Sequence, residues 1–77
     1  MAYLLVEIKG PIDSLKLWGL VSRYGINVTD LGDKVIVHGD ASFHDYVDII
    51  SFCSLFGEMT YTYGGDRYEP KKEGEDP

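Results

Sequence analysis

The stretch from Gly10 to Leu31, GPIDSLKLWGLVSRYGINVTDL, constrains this chain more than any other. A Gly-Pro pair opens it, a helical pattern fills it, and Gly25 closes that pattern directly ahead of an alternating run. Proline suits the first turn of a helix, and Asp13 adds negative charge at the positive end of the helix dipole. At the helical period Leu17, Leu20, Val21 and Tyr24 gather on one side and are expected in the core. Leu15 and Trp18 sit off that stripe. Gly25 is placed to end the helix in the left-handed conformation. A helix delivered straight into a strand marks a mixed α and β chain.

The flanking sequence completes the order. Tyr3 to Lys9 alternates, with Leu4, Val6 and Ile8 on one side of a pleat and Tyr3, Leu5, Glu7 and Lys9 on the other. Ile26 to Leu31 alternates again. Gly32-Asp33 reads as a hairpin turn into Lys34 to His38, where Val35 and Val37 point inward and Gly39-Asp40 ends the strand. A second helix is expected from Ser42 to Phe56, with Asp40 or Ser42 as its cap and Asp45 completing a capping box. Its broad apolar face holds Phe43, Tyr46, Val47, Ile49, Ile50, Cys53 and Phe56, leaving Phe52 and Leu55 outside. Glu58 to Tyr63 gives a last strand with Met59, Tyr61 and Tyr63 on the apolar side.

The predicted order is therefore β-α-β-β-α-β. Right-handed crossovers place the four strands in one antiparallel sheet, in spatial order 4-1-3-2, with both helices on one face. This is the α+β, ferredoxin-like arrangement, expected over residues 1–63. Residues 64–77 shift to Gly, Pro and charge, with three bases against five acids, and read as a disordered acidic tail.

Composition narrows the function. The formal charge of −6, with four bases against eight acids from Met1 to Tyr63, argues against a nucleic-acid surface, which needs clustered cations. An RNA platform on this topology would also need aromatic residues at the sheet centre, where this chain has Leu5 and Ile36. The single cysteine, Cys53, rules out an intrachain disulfide framework and fits a reducing compartment. No apolar run approaches the length of a membrane span, and no basic segment followed by an apolar one opens the sequence, so a cytoplasmic location is expected.

On this order, Pro11 to Asn27 resembles the first helix and second strand of an ACT domain. That family comprises small ferredoxin-like modules that bind amino acids or other effectors and regulate enzymes. Pro11 matches its turn proline, Gly19 its small mid-helix position, and Gly25-Ile26-Asn27-Val28 its exit into the next strand. The resemblance implies a regulatory module with a small-molecule effector site at Gly10, Pro11, Ile12 and Asn27. Two positions depart from the pattern. Ile12 replaces the turn glycine that lets an effector approach the backbone, and Lys9 replaces an acidic residue.

The remaining candidates concern association. The sheet side away from the helices carries Leu5, Glu7, Asn27, Thr29, Leu31, Ile36, His38, Thr60 and Thr62. A register setting Leu5 across from Ile36 and Glu7 across from Lys34 would give an apolar pair beside a charge pair. Leu5, Leu31 and Ile36 then form a patch that a second copy or a protein partner would bury. Trp18 either anchors an interface or closes the core against the second helix or the tail. Phe52 and Leu55 share that ambiguity and, with Trp18, would make a patch on the helical face. His38, His44 and Cys53 have no metal-ligand spacing, Cys53 reads as an inert core thiol, and Asp45 with Asp48 reads as solvated surface. No phosphate-binding glycine loop precedes a helix. No cofactor or metal is implied. The reading is a non-catalytic module that self-associates, or alternatively a heteromeric interaction subunit of a larger complex; a small enzyme would need a convergent polar pocket.

Overall fold

The computed structural model describes residues 1–64. Its elements are β1 (Ala2–Lys9), α1 (Ser14–Val21), a 3₁₀ turn (Ser22–Tyr24), β2 (Asn27–Asp30), β3 (Lys34–Ala41), α2 (Phe43–Ser54) and β4 (Met59–Tyr63). The strands form one antiparallel sheet in the order β2-β3-β1-β4, which is the expected order read from the other edge. The tail expected at 64–77 falls, from residue 65 on, outside the described residues.

Alternation builds the core. Leu4, Val6 and Ile8 of β1 and Val35 and Val37 of β3 are fully buried beneath Leu17 and Val21 of α1 and Ile49 and Cys53 of α2. The opposite pleat of the same strands stays accessible. Each helix starts on a side-chain cap. Asp13 Oδ1 accepts the Lys16 N–H at 3.1 Å, and Ser42 Oγ accepts the Asp45 N–H at 3.2 Å. Gly25 takes φ +76°, the left-handed turn that swings the chain from helix into β2.

Several boundaries differ from expectation. Pro11 precedes the helix instead of filling its first turn, because Asp13 is the cap itself. β2 stops at Asp30, so Leu31 lies beyond it. β3 continues through Gly39-Asp40 to Ala41. Gly39 has φ +149°, and a Cβ there would come within 3.0 Å of Ile26 Cδ1, so only glycine keeps the strand running while Ile26 packs beside it.

The β1–β3 register also differs, by two residues. Leu5 pairs with His38, Glu7 with Ile36 and Lys9 with Lys34. A shift of two preserves which side chains face inward, so alternation alone does not select between these registers. The expected Leu5–Ile36 pair becomes a diagonal one. The Glu7–Lys34 contact survives as an exposed diagonal ion pair at 3.4 Å.

On α2 the apolar face is turned. Phe43 and Val47, placed in the core by the helical period, are exposed, whereas Phe52, placed outside, packs on the core with its ring 6.4 Å from that of Tyr24. One flank of this helix meets the 3₁₀ turn after α1 through Phe52 and Tyr24. Its other flank stands over edge strand β4, where too little sheet remains to cover it.

Candidate functional site

The largest apolar groups left uncovered on α1 lie together. Leu17 and Val21 point into the core, which turns Leu15 and Trp18 outward at 80% and 52% exposure. Trp18 belongs to the β2 side of α1. It leans over β2, where Ser14, Leu15, Trp18, Val28 and Asp30 line a groove of about 330 Å³. Asp30 fixes the groove floor, its Oδ2 accepting the Ser14 hydroxyl and its Oδ1 the Gly32 N–H, both at 2.8 Å. The Gly32 bond, then the Ser14 bond, hold its carboxyl below the usual carboxylate range. Leu31, 54% exposed, continues the apolar surface beyond the end of β2.

β2 pairs only with β3, so among the described residues its outer edge meets no other strand. Its outward backbone N–H and C=O groups face away from the sheet, a template for pairing with another chain. A free strand edge and three exposed apolar side chains therefore share one rim of the molecule.

The helix-free face of the sheet is more polar than this rim. Its central row reads Asn27, His38, Leu5, Thr62, and the next reads Thr29, Ile36, Glu7, Thr60. Leu5 and Ile36 are half-buried among these neighbours. His38 is held at both ring nitrogens, with the Tyr3 hydroxyl 3.4 Å from Nδ1 and the Thr29 hydroxyl 3.3 Å from Nε2. This three-strand polar link follows from the register, so strand patterns alone did not reveal it.

The residues of the implied effector site do not converge. Pro11 and Ile12 line a groove of about 390 Å³ with Lys16, Leu20, Leu55 and Phe56, and the Gly10 N–H donates to the Asp33 carbonyl at 2.8 Å. Asn27 sits in the row of Leu5, four residues along β1 from Lys9, and lines a different cleft with Tyr3, Gly25 and His38. Nor do Trp18, Phe52 and Leu55 form one patch. Trp18 faces β2, Phe52 faces Tyr24, and Leu55 borders the Ile12 groove.

A second apolar rim lies along β4. Tyr46 stacks on Tyr63 at 4.1 Å between ring centres, and the exposed rings of Phe43 and Tyr61 lean on Tyr46 from 5.6 and 5.8 Å. The hydrogen bond to Tyr61 raises the Tyr46 hydroxyl above its ordinary pKa. Among the described residues no three His, Cys, Asp or Glu side chains cluster as metal ligands would, and no helix is long and apolar enough to cross a membrane.

Cys53 is fully buried, and burial pushes its thiol from an ordinary 9.0 up to about 11. The folded state therefore holds this proton more tightly than the unfolded one. Its contribution is intact below pH 9 and lost as pH rises toward 11. In urea titrations at pH 8.5 and 10.5, wild type is expected to lose more stability than Cys53→Ala; equal losses would contradict this burial.

Comparisons of the chain with protein-family models, with curated proteins and with solved structures gave no match. The class defined by its own coordinates is a small α+β module whose accessible apolar surface concentrates along the sheet edges.

Proposed function

We propose that this chain is a non-catalytic, ACT-like binding and regulatory module of ferredoxin-like fold that self-associates through its β2 edge. The observation carrying this reading is the exposure of Leu15, Trp18 and Leu31 around a strand edge that, among the described residues, meets no other strand. Leaving such a rim in water is unfavourable, and a second copy would remove both the apolar surface and the unpaired backbone at once. The β2-β3-β1-β4 order and the left-handed exit at Gly25 are compatible with the ferredoxin-like reading. A small-molecule effector belongs to the same proposal. The Pro11–Ile12 groove is the place for it, on the α2 side of α1, with Ile12 standing where an effector would approach the backbone.

The heteromeric alternative draws on the second rim. Phe43, Val47 and Tyr61 beside β4 offer a partner a surface distinct from the one a second copy would use.

Sedimentation equilibrium over a dilution series tests the first reading. Wild type is expected to associate, Leu31→Asp at the rim to shift toward monomer, and Leu5→Asp on the helix-free face to behave as wild type. A monomeric mass throughout would remove self-association and favour the heteromeric role. A thermal-shift screen of amino acids and nucleotides tests the effector, since binding to the folded form raises Tm by mass action.

A further inference from the structure

We propose that the β2 edge and the groove beneath Trp18 take up an extended basic segment of another protein. Its backbone would add a strand beside β2, and an arginine side chain would lie between the Trp18 indole and the Asp30 carboxylate. This rests on the accessible β2 edge that self-association also uses, and it adds an occupant that competes there with a second copy. The hairpin decides which backbone groups are available. The Leu31 N–H donates to the Lys34 carbonyl at 2.9 Å, and Thr29 and Asn27 stand opposite Ile36 and His38 in the same phase. These residues direct their backbone groups at β3, so Val28 and Asp30 direct theirs outward. Val28 and Asp30 also line the groove with Ser14, Leu15 and Trp18. A residue set opposite either of them on an added strand, about 4.8 Å away, would share their face and enter the same groove.

The chemistry of the groove selects the side chain. Leu15, Trp18 and Val28 make it apolar, and Asp30 is the one charged residue lining it. Asp30 receives two neutral donors, the Ser14 hydroxyl on Oδ2 and the Gly32 N–H on Oδ1. A lone pair remains on each oxygen for a forked donor. The described cations stand elsewhere. Lys9 and Lys34 line a cleft with Glu7, Lys16 lines the Ile12 groove, and Arg23 lies over the Tyr24 ring at 5.2 Å. Among the described residues, then, no cation compensates this carboxylate, and a half-exposed indole stands next to it. A guanidinium satisfies both, its edge pairing with the carboxylate and its face lying on the ring. The chain's formal charge of −6 draws such a segment in.

The test uses the full chain, diluted until sedimentation velocity shows monomer, and reads the emission of Trp18, the chain's one tryptophan. The probes are short blocked peptides of alternating valine and threonine with either arginine or glutamate at the centre. The arginine peptide is expected to shift the emission and to bind at least ~10-fold more tightly than the glutamate peptide, less so as salt rises. Asp30→Asn is expected to weaken its binding about tenfold at unchanged Tm. Amide exchange at Val28 and Asp30 is expected to slow in the complex. Equal binding of the two peptides, or none, would overturn the proposal and leave self-association standing. Unslowed exchange at Val28 and Asp30 would overturn the added strand. Should Asp30→Asn lower Tm, the comparison of arginine with glutamate on wild type decides. Where wild type associates, bound arginine peptide is expected to lower its mean mass, and an unchanged mass would overturn the shared edge. A wild type that is monomeric throughout yet binds the peptide supports this occupant and removes the second copy.

Discussion

Leu17→Ala is expected to lower the stability of the folded chain by about 3 kcal/mol. Leu17 is fully buried at the junction of α1 with the sheet, in the same cluster as Val21, Val35, Val37 and Ile49. Truncation removes the transfer free energy of its methyl groups. It also leaves a cavity that neighbours from both helices and from β3 close only in part. A chain of 77 residues has roughly 4–11 kcal/mol of stability in all, so the loss is a large share of it. Urea unfolding is the measurement. A midpoint lowered at constant slope is the expected outcome, and a loss below 1 kcal/mol would mean that Leu17 does not face the core.

Trp18→Ala, one residue along, should do the reverse. Self-association is expected to weaken by about 100-fold, the range of an interface anchor whose loss is felt in both copies. Monomer stability should change by less than about 1 kcal/mol, because the indole is half exposed and alanine is the better helix former. Sedimentation over a dilution series reads the first effect, and unfolding at the dilute end reads the second. Unaltered association would remove Trp18 from the interface. A large drop in monomer stability would return it to the core edge, the other role its position off the helical stripe allowed.

This pair of neighbours also shows how far pattern reaches. Helical period separated Leu17 from Trp18 and placed each on the correct side of α1. It did not say that Trp18 lies over β2, because a helical wheel fixes angles about an axis and not the neighbours of each flank. The same gap explains α2. Phe43, Val47 and Phe52 lie at the margins of its stripe, where the elements standing beside each flank decide burial.

The strands repeat the lesson. Alternation assigned Leu4, Val6, Ile8, Val35 and Val37 to the core, yet a two-residue slip between β1 and β3 left that assignment unchanged. Only the packed structure showed Leu5 beside His38 and Ile36 beside Glu7. On the helix-free face Leu5 and Ile36 each stand directly opposite a polar residue of the neighbouring strand, and the sheet edges carry the more exposed apolar side chains. The implied effector residues fared similarly: Gly10, Pro11 and Ile12 adjoin in sequence, but Asn27 enters the sheet in the row of Leu5, four residues along β1 from Lys9.

Local chemistry, then, settled which segments become helix or strand and which of their sides seek the interior, since both follow from periods of two and 3.6 residues. The assembled fold alone decided lateral neighbours, register and rim, because these depend on contacts between segments distant along the chain. That division is why only the assembled fold set β2, paired with β3 alone among the described residues, beside the half-exposed Trp18.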